Sequence, residues 1–297
     1  MLHSTKTYHL DQSPFYRLNS KRRLGEILGI TDAVLRTLSK GADDLYNEFY
    51  TKAHDKKRLI ENPKPILKAV QKKISKLLSR LTPPKYLFCP VKGKSYVSNA
   101  ALHANSKVIK KIDIKKYFPS TTSRKVYWYF HKIMQCSPDV AASIVRLVCY
   151  KEHLPTGAPT SPIVSYLAHV DAWEAISKIC QTHSIIHSLY VDDLSLSGDK
   201  VPDAIVWQIK QQIRKVGLDY HKERAYYDGA AEITGVIVKA GTLLPPNRSR
   251  LKAHQARVAI RNGGSILETE GQIKLLAGLE GHLRQIRIAN PPTAPPT

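Results

Sequence analysis

Apolar residues alternate with polar ones on both sides of an acidic pair in Ser188-Leu-Tyr-Val-Asp-Asp-Leu-Ser-Leu-Ser197. Leu189 and Val191 lead in and Leu194 and Leu196 lead out, a period of two that predicts a β-hairpin with Asp192-Asp193 at its turn. Val108-Ile-Lys-Lys-Ile-Asp-Ile114 predicts a second strand, ending on Asp113. Helical spacing governs most of the rest. Leu67, Val70, Ile74, Leu77, Leu78 and Leu81 form one apolar stripe on a helix that Pro63 and Pro65 open, and its other face carries Lys68, Lys72, Lys73, Lys76 and Arg80. Leu24, Ile27, Leu28 and Ile30 predict a short helix, after which Thr31-Asp32 caps a second. Between these regions, Tyr46 to Glu61 predicts a hairpin with a basic tip at Asp55-Lys-Lys-Arg58.

Further along, helices are predicted from about Arg124 to Met134 and from Ser137-Pro138 to Cys149. A third runs from Ser161, as N-cap, with Pro162 at the first helical position, to about Gln181. Pro202 to Val216 is amphipathic, and Glu232 to Lys239 predicts a strand. The order strand, helices, strand-turn-strand, helix, strand predicts an α+β fold, a split β-α-β arrangement on an antiparallel sheet with helices on one face. In such a sheet Asp113 neighbours the Asp192-Asp193 turn. Three like charges crowded into a buried turn are costly unless a cation is bound there.

Charge changes the picture more than length does. Among 297 residues, 46 Lys and Arg stand against 24 Asp and Glu, a formal net charge of +22. Such an excess repels itself unless a polyanion is present, so nucleic acid is the leading partner. No apolar run approaches the roughly 20 residues of a spanning helix, and Met1-Leu-His-Ser-Thr-Lys6 lacks the apolar core of a signal peptide, so neither a membrane partner nor secretion is expected. Cys89, Cys136, Cys149 and Cys180 have no metal or redox spacing, and a cytoplasmic protein with reduced thiols is expected. The Pro-rich tail from Pro291 is expected to fray.

Carboxylates are hard oxygen ligands and suit Mg²⁺ or Mn²⁺ rather than zinc. Two such ions about 4 Å apart serve an in-line phosphoryl displacement. Asp113 and Asp192 are the expected bridging ligands, the Ile114 carbonyl a backbone ligand and Asp193 the more peripheral carboxylate. A nucleotidyl transferase and a nuclease both satisfy this logic. Tyr117-Phe118 and the Gly157-Ala-Pro159 loop favour a polymerase, because they can wall a nucleotide pocket.

These residues resemble a family. Tyr190-Val-Asp-Asp193 resembles the Tyr-x-Asp-Asp signature of reverse transcriptases, and Lys111 to Ser120 resembles the motif that carries their first catalytic aspartate. Leu154-Pro-Thr-Gly-Ala-Pro-Thr-Ser-Pro162 resembles their Leu-Pro-Gln-Gly-Ala-Pro-Thr-Ser-Pro loop. Asn99-Ala-Ala-Leu-His103 and Ile233-Thr-Gly235 are similar to elements of bacterial retron reverse transcriptases. The resemblance implies a right-hand polymerase: fingers and N-terminal helices over 1–105, a ferredoxin-like palm over 106–238 with a fingers insertion around 123–160, and a small helical thumb over 239–297. It implies catalysis by Asp113, Asp192 and Asp193 with two Mg²⁺ ions. Phe118 becomes the gate that excludes a ribose 2′-hydroxyl, Arg58 a triphosphate contact helped by Lys56 or Lys57, and Gly157 a point of close backbone approach to the deoxynucleoside triphosphate. Thr156 stands where the family has glutamine. Gly217 to Ala225 departs from the family's lysine motif, and Lys222 or Arg224 is the expected substitute.

From residue 239 on, nine Lys and Arg stand against three Glu. Arg248, Arg250, Lys252, Arg257 and Arg261 cluster at the start of this region, and Leu275, Leu279, Leu283 and Ile286 predict a helix behind them. With Asn99 and His103, these basic residues are the expected contacts to RNA, which is gripped by shape and phosphate. The resemblance implies a cognate noncoding RNA as template and primer, an RNA-DNA product, a separate effector protein, a host ribonuclease H and a role in antiphage defence. The alternatives are a group II intron-like or diversity-generating reverse transcriptase, or an RNA-binding scaffold with a vestigial site.

Overall fold

The computed structural model describes residues 7–41, 43–53, 56–263 and 265–290. The hairpin tip at 54–55, the side chain of Lys56, the first six residues and the Pro-rich tail lie outside this description. Helices α1 (Lys21–Leu28) and α2 (Asp32–Lys40) form as their caps predict: Ser20 and Thr31 accept from the amides of Arg23 and Val34. Strands β1 (Tyr46–Ala53) and β2 (Lys56–Pro63) pair antiparallel as a two-stranded ribbon. Helix α3 (Pro65–Leu78) follows at once, with Leu67, Val70, Ile74 and Leu78 buried on its apolar stripe. Then come β3 (Leu87–Cys89), the short α4 (Tyr96–Leu102) and β4 (Val108–Ile114), the last with the bounds its pattern predicts.

After β4 the chain turns through α5 (Tyr117–Ser120) into α6 (Ser123–Trp128), which widens into a π-helical turn at Tyr129–Ile133 before α7 (Pro138–Val148). The long helix expected from Ser161 to Gln181 is two helices, α8 (Ser161–Ala168) and α9 (Val170–Thr182), broken at the buried His169. Its cap also differs from expectation. Thr160 is the N-cap, and Ser161 turns its hydroxyl back to the Pro155 carbonyl at 2.7 Å, closing the loop on itself. Strands β5 (Ile186–Tyr190) and β6 (Asp193–Gly198) form the acidic hairpin, and α10 (Asp203–Lys215) leads to β7 (Tyr220–Tyr227).

The main sheet has five strands in the order β3-β5-β6-β4-β7, and β4 to β7 pair antiparallel. Here a second expectation is corrected. The strand that closes this sheet is β7, in the stretch that departs from the lysine motif, whereas 232–239 folds into a different sheet. That segment is a hairpin, β8 (Ala231–Ile233) and β9 (Val236–Lys239), turning on Thr234-Gly235 and joined by β10 (Thr242–Leu244). Thr234 and Gly235 both take positive φ (46° and 83°), so the strand cannot run through them.

Side chains alternate across β4. Ile112 and Ile114 enter the main core with the helices, while Ile109 on the opposite face joins a second core of Ala231, Ile233, Val236, Val238, Leu243, Val97 and Ile286. Helices α11 (Asn247–Asn262) and α12 (Ile266–Ala289) complete the chain as an antiparallel pair, and Tyr96 ties α12 to α4 through 2.8 Å hydrogen bonds to His282 Nδ1 and Gln285 Oε1. Of the apolar stripe expected on α12 only Ile286 is fully buried, and Leu275 is 46% exposed. No helix among the described residues is long and apolar enough to cross a membrane.

Candidate active site

The second core covers the Ile109 end of one sheet face and leaves the Asp113 end open. There the register of β4 against β6 sets Asp113 directly opposite Asp193, and the Ile114 amide donates to the Asp192 carbonyl at 2.9 Å. Strands β5 and β6 leave only Val191 and Asp192 between the paired Tyr190 and Asp193. So tight a turn needs positive φ at its first position, and Val191 takes 58°. For a β-branched residue that conformation costs about 1–3 kcal/mol. Strain is thus concentrated at the turn that presents Asp192.

Electrostatics at the turn are as crowded as its sequence implies. Burial pushes the Asp192 carboxyl up to about 6 from an ordinary 3.8, the charges of Asp193 and Asp113 push the same way, and Arg58 pulls it back. Arg58 on β2 is thus near enough to the turn to act on Asp192 electrostatically. Burial also raises Asp193, against the pull of Lys111. Lys111 Nζ stands 3.7 Å from Asp193, and His221 Nδ1 stands 3.7 Å from Asp113. No three His, Cys, Asp or Glu side chains among the described residues are drawn to one point. The donor set still fits a hard divalent cation: every side-chain donor is a carboxylate, and burial together with mutual repulsion raises Asp192, a deficit that a cation relieves.

The loop before α8 packs on strand β2 of the β1–β2 ribbon. Glu61, buried on β2 and not marked by any motif, clamps the two together. Its Oε2 accepts from the Thr156 amide at 2.9 Å, its Oε1 accepts from His153 Nε2 at 2.9 Å, and its own amide donates to the Thr156 carbonyl at 2.7 Å. Thr156 is itself buried, so it serves the clamp through its backbone. Gly157 takes φ 125°, and a Cβ there would meet Ile60 Cγ2 at 3.1 Å and the Glu61 carbonyl oxygen at 3.2 Å. The close approach that requires glycine is thus to β2. Replacing Glu61 by Ala is expected to cost about 2–3 kcal/mol, because a buried amide and a ring N–H lose their acceptor. Chemical denaturation checks this; a loss under 0.5 kcal/mol would mean that the clamp carries no strain-bearing contact.

Phe118 is half-buried beside the buried Tyr117, with ring centroids 6.0 Å apart, and packs on the main core. Asn99 and His103 require a correction. Both are fully buried: His103 bridges Ser197 Oγ (2.7 Å) and Ser188 Oγ (2.8 Å), and Asn99 Nδ2 donates to Thr234 Oγ1 at 3.4 Å. They have no surface to offer RNA. They fasten α4 and the β8–β9 turn to the back of the acidic hairpin, and desolvation drives the His103 pKa down to about 3, so the ring is neutral. The two serines lie on neighbouring strands of the hairpin, far from His103 in sequence. On α11, Arg248 is held bidentately by Glu232 and Arg257 by Glu280 at 2.9 Å, while Arg250, Lys252 and Arg261 are exposed.

The chain is similar in sequence to known proteins. Residues 50–225 match the family model described as reverse transcriptase (RNA-dependent DNA polymerase). The chain is 30% identical over 180 residues to the retron Se72 reverse transcriptase of Salmonella heidelberg, covering 60% of this chain and 48% of that protein. It is 29% identical over 193 residues to the retron Ec86 reverse transcriptase of Escherichia coli (63% and 60% covered), and 27% identical over 290 residues to the retron Mx162 reverse transcriptase of Myxococcus xanthus (82% and 59% covered). The matches thus span about half to three fifths of those relatives' lengths. With its family model matched over more than half of its residues and the acidic hairpin inside the matched span, the chain belongs to the reverse transcriptase family.

Proposed function

We propose that this chain is the RNA-directed DNA polymerase of a retron, copying part of a cognate structured noncoding RNA into RNA-linked single-stranded DNA. The observation that carries the reading is the β4–β6 register, which sets Asp113 against Asp193 beside the Asp192 turn. The order β5-β6-β4-β7, with helices between β4 and β5 and between β6 and β7, supports a ferredoxin-like palm; β1, β2 and α3 then serve as fingers and α11 and α12 as the thumb. Asp113, Asp192 and Asp193, with the Ile114 carbonyl, would hold two Mg²⁺ ions, which when bound activate an attacking hydroxyl and steady the leaving oxygen. Arg58 orients the triphosphate from the fingers side, and the Glu61 clamp holds the Thr156-Gly157 backbone as the wall of the nucleotide pocket. Lys111 and His221 stand beside the same carboxylates, each at 3.7 Å.

Retron names on the similar proteins favour this reading over a group II intron-like or diversity-generating enzyme, and three intact carboxylates weigh against a vestigial scaffold. A cytoplasmic location, a separate effector, a host ribonuclease H and a role in antiphage defence follow with the reading. The test is extension: purified protein with its copurifying RNA, Mg²⁺ and deoxynucleotides should build DNA joined to RNA. Absence of incorporation on every template, with RNA binding intact, would leave the scaffold as the answer.

Phe118 supports a second expected result. Its ring stands five residues beyond Asp113, where a shortened side chain opens space beside the sugar. Phe118→Ala should raise ribonucleotide incorporation relative to deoxynucleotide by about 10-fold or more in competition assays, on the scale of one lost steric contact. Unchanged selectivity would assign Phe118 to core packing alone.

A further inference from the structure

A cavity of about 450 Å³ lies between α11, α12 and β10, away from the carboxylates, and its size falls within the roughly 300–1,000 Å³ of small-molecule pockets. Its floor is apolar, with Leu243, Pro245, Ala253 and Ile286, and Arg250, Arg257 and Arg287 stand around it. The rim is built, not loose: the Asn290 side chain accepts from the Leu243 amide at 2.7 Å and donates to the Leu243 carbonyl at 2.8 Å, locking the end of α12 to β10. Arg257 is turned to Glu280, but Arg250 and Arg287 have no acidic partner among the described residues. Helix α11 carries no acidic residue along its length.

Guanidinium groups beside a dry floor suit a ligand that is anionic at one end and flat and apolar at the other. We propose that this cavity takes one unstacked nucleotide of single-stranded RNA, its phosphate between Arg250 and Arg287 and its base over the apolar floor. Unpaired bases splayed from a loop or bulge are recognised in this way, by stacking on Arg planes and apolar side chains, whereas a paired base has no free face to offer. Arg287, near the end of α12, is a contact that the sequence pattern alone did not single out. The inference rests on the polymerase reading only for the identity of the anion as RNA.

The test is fluorescence anisotropy of the full chain with a labelled 12-nucleotide single-stranded RNA and, separately, a blunt RNA duplex of the same length. Arg250→Ala with Arg287→Ala should weaken single-strand binding by roughly 10- to 100-fold, the scale of one base-stacking and phosphate contact. Arg250→Lys with Arg287→Lys should weaken it nearly as much, because an ammonium keeps the charge but loses the planar fork. Duplex affinity should stay within about twofold in the Lys pair. Full rescue by Lys, equal losses on both RNAs, or displacement of the RNA by polyglutamate at lower concentration than by unlabelled RNA would overturn the proposal, the last by marking an acidic-protein site. Extension of a DNA primer on a separate RNA template by the unmodified protein keeps the two readings apart: its absence would overturn the polymerase reading instead.

Discussion

Asp192→Asn is expected to abolish DNA synthesis and, in the same molecule, to raise resistance to heat in metal-free buffer at pH 8. Both effects arise from the carboxylate at the hairpin turn. Without its charge the site loses a cation ligand that no neighbouring side chain replaces. Meanwhile the folded protein no longer holds a buried charge against Asp193 and Asp113, whose repulsion helps push the Asp192 carboxyl up to about 6 from 3.8. A group with a raised folded pKa binds its proton more tightly folded than unfolded, so its charged form weighs against folding at high pH, and that burden fades as pH falls from about 6 to below 4. The variant's advantage should therefore be about 1–2 kcal/mol at pH 8, after allowance for solvent screening, and vanish near pH 4. Thermal melts across that range, without and with Mg²⁺, check it. Added Mg²⁺ should stabilise the unmodified protein more than the variant, because only a ligand-competent fold gains by binding. A variant equally stable or less stable at pH 8 would show that the three charges are not coupled.

Gly157→Ala is the second large effect expected. At φ 125° an L side chain is strained, and its Cβ would press on Ile60 Cγ2 and the Glu61 carbonyl oxygen at 3.1 and 3.2 Å. Neither contact yields easily, since one is backbone and the other sits on a paired strand. The loop should therefore lift from β2, at a cost of about 1–3 kcal/mol in stability. Because the same loop walls the proposed nucleotide pocket, kcat/KM for deoxynucleotide incorporation should fall by roughly 100-fold, the scale of a wall displaced by about 1 Å. Steady-state kinetics beside denaturant melts would separate the two. A variant with normal kinetics would detach this loop from the nucleotide.

Much of the site was legible because it is local. The acidic turn needs only period-two alternation around Asp192-Asp193, and the bounds of β4 follow from a run of strand-forming residues that ends just past Asp113. Caps at Thr31 and the Pro63-Lys64-Pro65 start of α3 are equally local signals. Where the reading went wrong, a conformational detail or a distant partner decided. Val236 to Val238 looked continuous with Ile233, but two positive φ values at Thr234-Gly235 fold the segment into a hairpin. His169 looked like any helical residue, yet the chain breaks its helix there.

By itself, then, the sequence determined the family motifs and how the hairpin, β4 and the helices form, since each depends on side-chain identity and periodicity over a few residues. Only the tertiary structure decided that β7 closes the sheet beside Asp113, that Glu61 clamps the loop of Gly157 to β2, and that Asn99 and His103 are buried fasteners. Those outcomes depend on pairings between residues up to about 135 positions apart, such as Asn99 with Thr234. Burial and the satisfaction of polar groups select such pairings across the whole fold, and no local pattern records them.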